Sequence, residues 1–259
     1  MEVLEITLGQ IFLSETVGSM LLLLFGGGVV ANTLLKGTKG QGTGWLLINW
    51  GWGIGVFIGV IAAYNSGGHL NPAVTVGVIA SGATNYVEGI PITVGSTLVY
   101  FAGEMLGAML GALLVWLTYK QHFDAEENPA FKLGVFSTGP EIRNPLWNTI
   151  TEIIGTFVLV FGVLAASKFT AAGADGSAVN LGWLGALGVA LLVFGIGVSL
   201  GGPTGYAINP TRDLGPRIMH AILPIKGKGT SDWGYAWVPV VGPLIGGALG
   251  GLLSTVLLP

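Results

Sequence analysis

The chain has 259 residues, 51% hydrophobic and only 9% charged, with 45 glycines and a net charge of −3. A soluble domain carries about 25% charged residues, so this composition, with a mean hydropathy of +0.75, describes an integral membrane protein, and apolar runs of helical spanning length make it an all-α one. No cysteine is present, which excludes disulfides, thiolate chemistry and cysteine metal sites, and His69, His122 and His220 lack ligand spacing; no metal or cofactor is expected. No basic stripe or nucleic-acid motif is visible, so nucleic acid is excluded as a partner.

The N-terminus lacks a basic region followed by a cleavage site, and its first apolar run reads as a retained span from about Ile11 to Leu35, with Glu15 near its start. A Gly/Lys loop, Lys36 to Gly44, leads to a glycine-rich second span, Trp45 to about Tyr64. Ser66 to Thr75 reads SGGHLNPAVT and opens a short apolar segment that ends near Ala80. The third span covers roughly Ile92 to Tyr119, followed by the longest polar connection, Gln121 to Asn144. The fourth span is about Leu146 to Ser167 and the fifth about Asn180 to Leu200. Gly201 to Arg217 then reads GGPTGYAINPTRDLGPR, opening a second short segment to about Ala221. A polar turn, Lys226 to Asp232, precedes the sixth span, about Tyr235 to Leu257, where Trp233 and Trp237 read as interfacial anchors.

Asn71-Pro72-Ala73 and Asn209-Pro210-Thr211 both mark helix starts, because Asn is a good N-cap and Pro is favoured at the first helical position. The segments they open are far too short to cross a bilayer, which takes about 20 apolar residues. They also occupy matching places in an internal repeat. SETVGS at 14–19 resembles TEIIGT at 151–156, pairing Glu15 with Glu152 at an offset of 137; Asn71 pairs with Asn209 at 138. Gly103, Gly107 and Gly111 pair with Gly242, Gly246 and Gly250 at 139, and both triplets read as packing faces between helices. The chain therefore reads as one channel domain of two repeats, about 1–130 and 141–259. Each repeat has three spans, so the second must enter the membrane upside down. Such inverted repeats place the working site at their interface, near the bilayer midplane.

Non-helical backbone at that depth survives only where it is buried in protein or lines a watery cavity. The loops before Asn71 and Asn209 thus offer carbonyls along a path, and two opposed helix N-termini concentrate positive partial charge at its centre, against cations and protons. Arg212, expensive in an apolar region unless paired or lining water, belongs to the same path. Glu15 and Glu152 read as buried acceptors holding loop N–H groups, Glu104 as structural, and His69 as a loop-shaping residue rather than a metal ligand or pH gate.

At these residues the chain resembles the major intrinsic protein family, the aquaporins and glycerol facilitators, over nearly its whole length. The resemblance implies six tilted transmembrane helices plus two re-entrant half-helices in an inverted repeat, a homotetramer with one pore per subunit, and no enzymatic activity. It places a selectivity filter at Trp52, Gly197, Tyr206 and Arg212, with Trp50 as the alternative to Trp52 if the alignment shifts. Asp213, Arg217 and Pro239 resemble the glycerol branch. Three residues depart from the family pattern: Thr211 in place of Ala, Tyr206 in place of Phe, and Glu104 where Gln is common. Thr211 and the Tyr206 hydroxyl are expected to shift solute preference, the latter by making the constriction more polar. The implied permeants are glycerol, water and other small neutral solutes, and membrane lipid is the surrounding partner. The rival readings are a water-selective aquaporin, which Gly197 and Asp213 oppose, and an ion-coupled secondary transporter, which the scarcity of intramembrane carboxylates opposes. A non-conducting scaffold would leave Arg212 and the paired Asn-Pro loops unexplained. The resemblance puts the chain in the cell membrane with both termini cytoplasmic. The loop charges point the other way, since Lys36, Lys39, Lys132, Arg143, Lys226 and Lys228 would then lie outside and only Lys168 inside.

Overall fold

The computed structural model describes residues 6–168 and 181–258, with the backbone of 171–172 and 178–179 between them. Ten α-helices run through the described residues: α1 (Leu8–Leu34), α2 (Trp45–Ala62), α3 (Pro72–Ala80), α4 (Val94–Thr118), α5 (Lys120–Ala125), α6 (Pro129–Phe136), α7 (Pro145–Ala166), α8 (Trp183–Leu200), α9 (Pro210–Ile222) and α10 (Val238–Leu257). Six of them, α1, α2, α4, α7, α8 and α10, are long and apolar enough to cross a membrane. Two short antiparallel strand pairs complete the described fold, Asn85–Val87 with Ile90–Pro91 and Ala171–Ala172 with Ala178–Val179.

Helix ends follow local chemistry rather than hydropathy alone. α1 begins at Leu8, three residues before the predicted start, because Thr7 and Gln10 close a reciprocal capping box. Thr93 and Ser96 do the same for α4, which therefore starts at Val94 rather than Ile92. α10 starts at Val238 rather than Tyr235, after a turn capped at Trp237. The predicted start of the fifth span, Asn180, lies outside the described residues. The connection predicted as an unbroken polar stretch from Gln121 to Asn144 instead holds α6, opened by an Asn128 cap and Pro129, and most of α5.

The two glycine triplets are where the long helices meet. α1 packs on α4 and α7 on α10. A Cβ added at Gly103 would stand 2.8 Å from the Phe12 carbonyl, and one at Gly111 2.5 Å from that of Met20. In the second half, a Cβ at Gly242 would stand 2.6 Å from Glu152 Cβ. Backbones this close gain dispersion contacts over the whole crossing, the main attraction left to helices in lipid.

The short helices cross between halves. α3 packs against α10, where Gly247 and Gly251 lie on the backbone of Ala73 and Gly77, and α9 packs against α4, where Gly215 meets Ala108. Each re-entrant helix is thus seated by the third span of the other repeat. This is the aquaporin-like arrangement of six spanning helices and two half-helices.

Candidate pore and its constriction

Asn71 and Asn209 each cap a half-helix in extended backbone geometry. Asn71 Oδ1 accepts from Ala73 N at 2.9 Å; Asn209 Oδ1 accepts from Thr211 N at 3.1 Å and Arg212 N at 3.2 Å. Their amide nitrogens cross over. Asn71 Nδ2 donates to the Ile208 carbonyl and Asn209 Nδ2 to the Leu70 carbonyl, both at 2.8 Å. Each Asn uses one amide hydrogen in this exchange and keeps a second.

The loops that carry these carbonyls are held by the paired acids. Glu15 accepts from Ser66 Oγ, His69 N and Leu70 N at 2.5, 3.1 and 2.7 Å. Glu152 repeats the pattern with Thr204 Oγ1, Ala207 N and Ile208 N at 2.7, 3.0 and 2.8 Å. Both acids are buried. Three non-glycine residues in these loops adopt left-handed backbone, Leu70 (φ 56°), Tyr206 (φ 36°) and Ile208 (φ 43°). Such strain, about 1–3 kcal/mol each, persists only where bonds of this kind fix the backbone.

Two cavities meet at the asparagines. The larger, about 680 Å³, is lined by Leu22, Val60, His69, Asn71, Val193 and Asn209 among others and opens on the face that carries Lys168 and Leu258. The smaller, about 50 Å³, lies on the other side between Trp52, Tyr206, Ile208 and Arg212 and again touches Asn71 and Asn209. This is the narrow part.

In that narrow part the Arg212 guanidinium carbon stands 3.8 Å from the Trp52 ring centroid, a cation–π stack. No described residue accepts a hydrogen bond from the Arg212 side chain. Trp52 is buried, whereas Trp50 is 44% exposed and packs on Phe194, so the structure brings Trp52 and not Trp50 to the cavity. Gly197 is not in the lining. It lies behind the Tyr206 ring, where an added Cβ would overlap Asn49 Oδ1 and stand 2.7 Å from Tyr206 Cζ.

Two hydroxyls that the sequence reading set at the pore lie away from both cavities. The Tyr206 hydroxyl is buried against Gly197, and only the ring faces the constriction. The Thr211 hydroxyl likewise turns inward and donates to Asn209 Oδ1 at 2.9 Å, a third donor on the capping oxygen. Pro239 is buried in the first turn of α10, and Asp213 and Arg217 form a buried ion pair of 2.7 Å; none of the three lines either cavity. Arg217 also donates to the carbonyls of Ser231 and Thr138, while Thr138 donates through N and Oγ1 to Asp213, both at 2.7 Å. The pair therefore ties α9 to two loops on the constriction side.

Glu104 takes a hydrogen bond from Thr75 Oγ1 at 3.1 Å, and Thr75 in turn meets His69 Nδ1 at 2.8 Å. His69 stacks against Tyr100, whose hydroxyl donates to the Ser66 carbonyl. Among the described residues no group of three or more His, Asp or Glu could hold a metal ion. Sequence reasoning missed Trp45, which donates Nε1–H to the Gly197 carbonyl at 3.1 Å and meets the Tyr206 ring edge-on, and it missed Asn49. Their only sequence signal was position, about two helical turns (Trp45) and one turn (Asn49) before Trp52 on α2.

A buried path at the junction of two repeats, with fixed hydrogen-bond donors at its narrow part, defines the class of channel proteins. Residues 2–254 match the model of the major intrinsic protein family, and the chain belongs to that family. It is 49% identical to glycerol uptake facilitator protein 3 of Lactiplantibacillus plantarum over 95% of both chains. It is 48% identical to the glycerol uptake facilitator protein of Bacillus subtilis, over 93% of this chain and 82% of the relative. The X-ray structure of the aquaglyceroporin from Plasmodium falciparum superposes with a TM-score of 0.79 at 27% identity, covering 97% of each chain.

Proposed function

We propose that this chain is a passive channel for glycerol that also passes water and other small neutral solutes. The observation that carries the reading is the Arg212–Trp52 stack beside Tyr206 at the narrow point, with the guanidinium donors unclaimed by any described residue. Trp52 and Tyr206 offer apolar surface to the carbon side of a polyol, while Arg212 donates to its hydroxyls. Relatives named glycerol uptake facilitators support the choice of solute. The fixed positive charge, with the two half-helix N-termini beyond it, disfavours cations.

In this reading Trp52, Tyr206 and Arg212 form the selectivity filter and Gly197 supplies the space behind it. Glu15 and Glu152 support the loops, and the Asp213–Arg217 pair and Pro239 brace the frame around the filter. The chain works as one domain, as a homotetramer in the cell membrane with both termini cytoplasmic, so the larger cavity faces the cytoplasm. The opposing loop cations carry less topological weight than their number suggests. Lys132 is buried on the Lys226 carbonyl, Lys228 caps three carbonyls at the end of α9, and Arg143 pairs with Asp232.

Stopped-flow light scattering on proteoliposomes tests the proposal, under a glycerol gradient and then a sucrose gradient. Fast glycerol entry that stops at equal concentrations is expected. Water flux without glycerol entry would move the chain to the water-selective class, and accumulation against a gradient would make it a transporter.

A further inference from the structure

Behind the constriction lies a polar group that the permeation path does not use. Asn49 is on the same face of α2 as Trp52, one turn earlier, and is fully buried. Among the described residues neither its Oδ1 nor its Nδ2 has a hydrogen-bond partner, and the same is true of the Tyr206 hydroxyl. An amide buried with all its hydrogen bonds unmade is costly, and native structures rarely keep such groups without a reason.

The two orphans face one another across Gly197. A Cβ at Gly197 would overlap Asn49 Oδ1 and stand 2.8 Å from Tyr206 Oη, so both groups converge on the space that the missing side chain leaves. The other described groups around the phenol are a spent donor and a glycine. Trp45 meets the ring edge-on with its indole N–H spent on the Gly197 carbonyl, and Gly201 lies against Tyr206 Cδ1.

We propose that Asn49 is a positioning residue for solute selection: it is the hydrogen-bond partner of the Tyr206 hydroxyl and, by holding it against Gly197, keeps that hydroxyl out of the permeation path while the ring lines it. Gly197 is then glycine because the Asn49–Tyr206 contact occupies its side-chain volume. The ring presents apolar surface to the solute, and its hydroxyl is tethered outside. The proposal rests on reading Tyr206 as part of the filter.

The experiment is a double-mutant cycle of Asn49→Leu and Tyr206→Phe in proteoliposomes, read as the ratio of glycerol to water permeability. Asn49→Leu keeps the volume and removes the partner. It is expected to lower the ratio several-fold when residue 206 is Tyr and to have no such effect when it is Phe. A role for Asn49 in packing alone would give the same change in both backgrounds, and that result, or no change in either, overturns the proposal. Should Asn49→Leu fail to fold, Asn49→Ser runs through the same cycle with the same criterion. The infrared C–O stretch of labelled tyrosine, taken as wild type minus Tyr206→Phe, reads the pairing without any flux. A hydrogen-bonded phenol that loses its partner in the Asn49 variant supports the pairing, and a free phenol in the wild type refutes it. A wild type that passes no glycerol would sink the reading of the filter, while this spectrum still decides the pairing.

Discussion

Replacing Glu152 by Gln keeps the side chain's shape but changes one oxygen of a buried acid into an amide nitrogen and removes the ionisable group. Glu152 holds Thr204 and Ala207 through Oε1 and Ile208 N through Oε2 at 2.8 Å. The glutamine can serve one of these sets and must turn an N–H donor toward the other. The smallest loss, with Oε1 kept in place, is the Ile208 bond, which leaves a buried N–H unpaired at a cost of about 1–3 kcal/mol. The same loop keeps Tyr206 and Ile208 in left-handed backbone, which relaxes once the restraint goes. Because the Ile208 carbonyl receives Asn71 Nδ2, the disturbance reaches the other half-helix. We expect Glu152→Gln to lower stability by about 2 kcal/mol and glycerol flux several-fold, with the protein still expressed. Denaturant unfolding in detergent measures the first and stopped-flow entry the second. A variant with wild-type midpoint and wild-type flux would show that the acid does not hold the loop.

Gly246→Leu drives a side chain into the Ile153 backbone on α7, and overpacking of this kind costs about 1–3 kcal/mol or more; reduced thermal stability in detergent is the readout. Thr211→Ala removes only an inward bond to Asn209, so a loss of about 0.5–1.5 kcal/mol is expected, with the glycerol-to-water permeability ratio unchanged. The Arg143 guanidinium, bidentate on Asp232 at 2.8 and 2.9 Å, holds that carboxyl below its ordinary value. A depressed folded pKa means stabilisation that is present above the unfolded value, near 3.9, and lost as pH falls through the folded one. The pair is solvent-exposed and worth up to about 1 kcal/mol, so Asp232→Asn should abolish a small acid-side loss of stability seen in wild type. With no cysteine in the sequence, mercurials should leave flux unaffected in the purified protein, and inhibition reversible by added thiol would contradict the prediction.

The architecture was legible because it is written in local chemistry and in repetition. Asn71-Pro72 and Asn209-Pro210 announce helix starts by themselves, and the matched offsets of Glu15, Glu152 and the glycine triplets reveal two halves. Capping boxes at Thr7 and Thr93 shifted helix starts by a few residues, and the Asn128-Pro129 signal inside the long polar connection carried too little hydrophobic pattern to be read as α6. What could not be read was direction. The Tyr206 hydroxyl points away from the cavity because a left-handed backbone at 206, the absent side chain of Gly197 and the indole of Trp45 leave it that space. Those determinants lie on three elements, and no local pattern links them.

The crossed bonds of the two asparagines have a consequence for biosynthesis. Residues 66–80 are made long before 204–222, and a ribosome adds about 5–20 residues per second. In that interval the Leu70 carbonyl and the Asn71 amide exist without Asn209 Nδ2 and the Ile208 carbonyl that satisfy them in the finished protein. A bare peptide carbonyl is poorly tolerated in hydrocarbon, so the first half-helix has reason to wait at the watery surface of the bilayer or within the insertion machinery. The crossed bonds can close only once residues 208 and 209 have been made, although half of the pore is among the first parts to be synthesised.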